Sequence, residues 1–296
     1  MRRLAAGLAA CAVLGAHAQA NPSRWYLQVD NDVFYGTDRW YTSGVRVARV
    51  AQSGDHEVEW GLLQEIYTPE AKRQNDIDRP TAARLLGSFA RHDRAPGMFR
   101  TLELDLGVTG PAALGRQAQE LIHRIVPAPH EDWSLQRGNR LDAQAAWVQT
   151  QALESVRGAG WHANLHYGAV IGNQIAFAHG GLELRWGHGA PGELSTPVLR
   201  FAATPPFTLA AGERDGWSSF AGVNVRVVAR NQLLDRSGLD PAVTPERRDV
   251  VYRAAVGLTW VTRWSSLAFA LVQDSREFYG QRRPHGFGSI TLELPF

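Results

Sequence analysis

The chain predicts an all-β fold, an antiparallel transmembrane β-barrel of about twelve strands with one short helix in a loop on the extracellular side. Three observations lead there. Residues 1–20 have the make-up of an export signal. No later apolar run approaches the roughly twenty residues that a membrane-spanning helix needs. A period of two residues then recurs to the C-terminus, and the polar partners in it are often charged, which is too costly for a dry sandwich core but suits a wet lumen.

The signal opens on Met1-Arg2-Arg3, runs through an apolar stretch from Leu4 to Ala16, and reaches small-x-small sites at Ala16-His17-Ala18 and Ala18-Gln19-Ala20. This reads as a secretory signal peptide over 1–20, leaving 21–296 as one barrel domain. Leu8-Ala9-Ala10-Cys11 also has the form of a lipoprotein signal, but Ala12-Val13-Leu14-Gly15 continues the apolar run where a polar mature terminus is expected. Cys11 is the only cysteine, so the mature chain holds no intramolecular disulfide and rests on backbone pairing and packing.

The strands follow in order. Trp25, Leu27 and Val29 oppose Tyr26, Gln28 and Asp30; less regular strands lie near 44–51, 56–66 and 82–92; Leu102, Leu104 and Leu106 oppose Thr101, Glu103 and Asp105. Leu141, Ala143, Ala145 and Trp147 form the next, then Trp161, Ala163, Leu165 and Tyr167 around His162, Asn164 and His166. Leu182, Leu184 and Trp186 flank Glu183 and Arg185, and Val223, Val225, Val227 and Ala229 flank Asn224 and Arg226. Two irregular strands near 248–263 and 265–275 precede the last, where Ile290, Leu292, Leu294 and Phe296 alternate with Ser289, Thr291, Glu293 and Pro295. A closing strand that ends on a C-terminal phenylalanine resembles those of bacterial outer-membrane barrels; a half-buried strand of a soluble sandwich has the same alternation. Pro205-Pro206 argues against a further paired strand between Pro197 and Ala211, so 187–216 is read as a long connection.

With both termini in the periplasm, strand parity sends the links at 31–41, 67–81 and 107–140 outward, and these are long or polar. The links at Ser53-Gly54-Asp55, Asp93 to Gly97 and Val156 to Ala159 are short, as periplasmic turns are. The third outward link carries the helix, predicted from Pro111 to Val126. Pro111 suits a first helical position, Pro127 ends the run, and Leu114, Ala118, Leu121, Ile122 and Ile125 make an apolar stripe. Gln119 and His123, one turn apart, fall to one side of that stripe. Taken alone, His123 there is a partly exposed surface histidine, or a base that looks into a groove beneath the helix.

A formal charge of +2 leaves no basic stripe for nucleic acid, although a basic rim suits a phosphorylated lipid. The first outward link, Asp30-Asn31-Asp32-Val33-Phe34-Tyr35-Gly36-Thr37-Asp38, packs carboxylate, amide and hydroxyl oxygens closely. Calcium favours such oxygens, whereas zinc favours nitrogen or sulfur. A hydrophilic hairpin loop with Asx turns has the same composition.

These residues, taken together, resemble the outer-membrane lipid A 3′-O-deacylase (LpxR) family. Asn31-Asp32 with Thr37-Asp38-Arg39-Trp40-Tyr41-Thr42-Ser43-Gly44 is similar to its opening motif, and Tyr67-Thr68-Pro69 with Asp78-Arg79-Pro80 to its second. Leu106 to Gly115, followed by Gln119 and His123, is similar to the segment that carries its catalytic histidine. Gly172-Asn173, Val228-Ala229-Arg230-Asn231, Arg276 to Gln281 and Phe287-Gly288-Ser289 extend the match over nearly the whole mature chain. Thr81 and Ala83 stand where the family usually has tyrosine and glycine, Asp132-Trp133 where it has Gly-Trp, and Glu131 is the nearest counterpart of a family glutamate.

The resemblance implies calcium-dependent hydrolysis of the 3′-linked acyl ester of lipid A, the lipid of lipopolysaccharide, among the outer-leaflet lipids of the bacterial outer membrane. His123 would activate water. Ca2+ held by Asp32, with Asn31 beside it, would stabilise the oxyanion, and Asn31, Thr42 and Gln119 would position water, metal or histidine. With no Gly-x-Ser-x-Gly elbow a serine acyl-enzyme has little support, Ser43 being the nearest nucleophile. Two other classes fit parts of the pattern: a phospholipase-type outer-membrane acyl hydrolase, and a non-enzymatic small porin or adhesin.

Overall fold

The structure is a computed structural model that describes residues 23–70, 78–125, 131–158, 160–188, 215–234, 245–262 and 264–295. A strand with one apolar and one polar face normally buries the apolar one; here the polarity is inverted. Leu104, Leu106 and Leu141 are 59%, 70% and 77% exposed, whereas Glu103, Asp105 and Asp142 between them are buried. The apolar side chains look out toward lipid and the charged ones into the lumen, as a membrane barrel requires.

Twelve antiparallel strands close on themselves: β1 (Ser23–Asn31), β2 (Trp40–Ser53), β3 (His56–Thr68), β4 (Ala82–Ala95), β5 (Met98–Thr109), β6 (Arg140–Gly158), β7 (Trp161–Gly172), β8 (Ile175–His188), β9 (Gly216–Asn231), β10 (Val250–Val261), β11 (Ser266–Asp274) and β12 (His285–Pro295). β12 closes on β1 with Asp30 opposite Ser289 and Asn31 opposite Gly288, so no strand edge is left open. The strand set expected from the alternation is the one observed, with longer elements such as β6 and β8, because pairing continues where alternation lapses. The expected signal at 1–20, Cys11, Phe296 and most of the 187–216 connection lie outside the described residues.

The lumen is filled by ion pairs. Arg46 binds Glu59 at 2.6 Å and Glu103 at 3.3 Å, and Glu59 also meets His92 Nε2 at 3.0 Å. Arg84 joins Asp142 at 2.8 Å and Glu65 at 3.0 Å, and Arg253 joins Asp274 at 2.6 Å. Each of these buried charges thus has a partner, without which its desolvation would be prohibitive.

The two rims differ. Trp25, Trp60, Trp161, Trp186, Trp217, Trp260 and Trp264 are all exposed near the strand ends opposite the helix-bearing rim, as an interfacial aromatic girdle. The other rim carries a 3-10 turn, Asp32–Tyr35, and the helix α1 (Gly115–Ile125). The turn packs on β12 and β2, and α1 on β3 and β4. Phe34 and Tyr35 lie against Gly288 and Gly286 of β12, where no larger residue has room.

The helix differs from the expected Pro111–Val126 in two respects. Pro111–Ala113 form a separate 3-10 turn, ended by Leu114 in the left-handed region (φ 57°), and α1 starts only at Gly115. The buried face also lies elsewhere: Leu114 and Leu121 are 49% and 59% exposed, while Gly115 and Gln119 are buried. Periodicity marks an apolar stripe, but a rim helix need not turn that stripe toward its own barrel.

Candidate active site

α1 is held at its N-terminal end. Gly110 N donates to Ala83 O at 2.9 Å, Gln64 Nε2 to Ala113 O at 2.7 Å, and Ala112 N to Asn139 Oδ1 at 2.8 Å. Gly115 then sits so close to Ala83 and Trp133 that a Cβ there would lie 2.8 Å from Trp133 Cη2 and nearer still to Ala83 Cβ. One turn on, Gln119 is buried and its Oε1 accepts a hydrogen bond of 3.0 Å from Trp133 Nε1. His123, half-buried one further turn along, lines a groove of about 490 Å³ with Arg116, Gln119, Glu120, Glu131, Asp132, Trp133 and Ser134. A histidine, a buried amide and two glutamates therefore share one open cleft, the ingredients of general acid-base chemistry.

The second group stands on the turn after β1. Asn31 accepts from Val33 N at 2.8 Å and so caps the turn, while Gly36 ends it at φ 66°. Asp32 is buried; its Oδ2 accepts from Arg39 N at 2.8 Å and Thr37 Oγ1 at 3.0 Å. Burial pushes its carboxyl up to about 8 against those two bonds, and the neighbouring Asp38 charge adds to the rise. Thr42 is the extra residue where β2 slips register against β3 between Tyr41 and Ser43, and its hydroxyl is hydrogen-bonded to Thr68 Oγ1. Two residues before it, Trp40 holds φ 59° while fully buried, with Nε1 donating to Asp78 Oδ2 at 2.7 Å. Bulges and left-handed bulky residues concentrate at functional sites because the surroundings must hold the strain.

Asn31, Asp32 and Thr42 thus share the sector around β1 and β2, and Gln119 and His123 share the groove over β3 and β4; the groove lining includes none of the first three. The donors of the turn suit a hard cation. They are oxygens only, and a carboxylate so costly to ionise, with a second one near it, gains from a divalent charge. Among the described residues no three histidine, cysteine or acidic side chains converge on a common point, so neutral oxygens and water would complete such a shell.

A family model for the outer membrane protein LpxR matches residues 4–296. The chain belongs to the LpxR family. It lies in the bacterial outer membrane and crosses it with its strands. Among solved structures, LpxR from Salmonella typhimurium is similar in fold at 21% identity and a TM-score of 0.77, covering 92% of this chain and 100% of that one. The β domain of the Bordetella autotransporter Brka has a TM-score of 0.44 at 9% identity, over 93% of this chain and 98% of that one. The translocator domain of NalP from Neisseria meningitidis has 0.41 at 9%, over 93% and 89%. No curated protein sequence matches the chain.

Two of the departures from the family pattern meet at the helix of this LpxR-family chain. Thr81 is buried, its hydroxyl donates to Asp132 O at 3.3 Å and its carbonyl accepts from Arg137 N at 2.9 Å, so it braces the loop that carries Trp133. Ala83 supplies the methyl that presses on Gly115. Sequence reasoning placed Trp133 only as half of a family pair and missed its bond to Gln119; the fourteen-residue separation has no local periodicity to betray it. Thr68 was placed only within the second motif, and its bond to Thr42 was missed for the same reason.

Proposed function

We propose that this protein hydrolyses the 3′-linked acyl ester of lipid A in the outer leaflet, with His123 as the general base. The reading is supported most by one observation: His123 stands, accessible, in a rim groove beside a buried Gln119, in a chain of the LpxR family. Imidazole is the side chain best suited to take a proton near neutral pH. His123 takes a proton from water as the water oxygen bonds to the acyl carbon and the carbonyl electron pair moves onto oxygen. Collapse of that adduct breaks the bond to the sugar oxygen, which receives the proton from His123, leaving a free carboxylic acid and a hydroxyl. Glu131, in the same groove, is a candidate acceptor for the other imidazole N–H. Leu114 and Leu121, exposed on the outer side of the helix, offer acyl chains an apolar approach.

Asp32 and Asn31 would hold calcium, with Asn31 fixing the turn through its cap. Calcium there would supply positive charge that favours a developing oxyanion. Thr42, held by Thr68, offers a hydroxyl on the same side of the rim to orient water.

The test is His123→Asn, with 3′-acyl release from purified lipid A followed by lipid mass spectrometry and phospholipid as a parallel substrate. The barrel should assemble while hydrolysis falls by about 10²–10⁴-fold. A folded, fully active variant refutes the base role, and release from phospholipid alone refutes the substrate.

A further inference from the structure

The indole N–H of Trp133 can only donate, so the Gln119 atom facing it at 3.0 Å is the carbonyl oxygen. That bond fixes the amide: Oε1 toward Trp133, Nε2 away. Nε2 is enclosed and has no hydrogen-bond partner among the described residues, although Gln119 lines the groove beside His123. A buried donor left unpaired is expensive, and native structures seldom keep one without a use.

Trp133 is itself immobilised. Its ring lies against Gly115, its loop is tied to the link before β4 through Thr81, and its carbonyl accepts from Gln136 N at 3.2 Å. Asp132 Oδ1 accepts from Ser134 N at 2.8 Å and closes a tight turn around it. The rim thus spends four separate contacts on the orientation of one indole whose polar atom touches one amide.

We propose that Trp133 is a positioning residue, which holds the Gln119 amide so that Nε2, once substrate displaces the groups that enclose it, donates to the carbonyl oxygen of the scissile ester as negative charge develops there. This rests on the hydrolytic reading above. With its orientation already fixed by the indole, the amide needs no rotation of its own at the moment of reaction. The role also explains why a glutamine, not an apolar side chain, occupies a buried position of α1.

The experiment compares Gln119→Met, which keeps length and removes the donor, with Trp133→Phe, which keeps the ring and removes the N–H, and with the pair combined. Assembly is checked by gel mobility before and after heating, and the Trp133 indole N–H is followed by NMR in detergent micelles. Gln119→Met should lower kcat by about 10²-fold, the scale for one oxyanion donor, and shift the Trp133 indole resonance. Trp133→Phe should lower kcat by roughly tenfold with KM within about twofold, and the double variant should be no slower than Gln119→Met alone, as expected when both act through one bond. Wild-type turnover in Trp133→Phe, losses that multiply in the double variant, or an indole resonance blind to Gln119→Met overturns the proposal. An inactive wild type would overturn the hydrolytic reading and the donor role with it, while the indole resonance still reports whether the Trp133–Gln119 bond exists.

Discussion

Gly115→Ala adds one methyl at the tightest point of the helix mount. Carbon atoms in contact prefer about 3.5–4.0 Å, and the new Cβ would meet Trp133 Cη2 at 2.8 Å, Cζ3 at 3.3 Å and Ala83 Cβ closer than either. The shortfall against Trp133 is at least roughly 0.7 Å. Trp133 is braced by its bond to Gln119 and by Thr81, and Ala83 is fully buried in a strand of a closed sheet. The helix is therefore the part that moves, by something near an ångström. Overpacking of this kind costs about 1–3 kcal/mol, and a displacement of that size at a catalytic group costs about 10²-fold in rate. The assay is 3′-acyl release from lipid A, normalised to the heat-modifiable, folded fraction. The expected variant assembles and is about a hundredfold slower; Gly115→Ala with Ala83→Gly removes one of the two clashes and recovers part of the loss. A folded Gly115→Ala chain at wild-type rate would refute the argument that α1 is pressed onto β4 to place His123.

Three further outcomes follow from the same geometry. Activity should be lost in EDTA and return with calcium better than with zinc, because the donors around Asp32 are oxygens; undiminished turnover in EDTA rules out the metal-assisted step. Asp32→Ala should assemble normally and stay inactive at any calcium concentration, whereas rescue by excess calcium alone would move the metal elsewhere. Arg46→Leu leaves Glu59 and Glu103 facing one another in the lumen without their shared cation, a loss of about 3–5 kcal/mol, read as a lower midpoint in urea unfolding followed by gel mobility; an unchanged midpoint would mean that water replaces the guanidinium.

The sequence by itself determined the barrel, because the signal is local to each strand. In Leu102 to Leu106 the side that meets lipid and the side that meets the lumen are set by a two-residue period, and Glu103 and Asp105 could be buried only opposite partners such as Arg46. Link lengths and strand parity likewise put Asp32 and His123 on one rim before any pairing was known. What only the tertiary structure decided is how the helix sits. Its leucines predicted a buried stripe, yet the space over β4 is narrow and closed by Trp133, so glycine and glutamine face inward and Leu114 and Leu121 face out. The bonds that build the candidate site, Trp133 to Gln119, Thr81 to Asp132 and Thr42 to Thr68, join residues that different strands and links bring together. Periodicity reports the environment of one segment against an average solvent or core; it carries no information on which distant side chain completes a particular hydrogen bond, and that is why the fold was legible along the chain while the mounting of His123 was not.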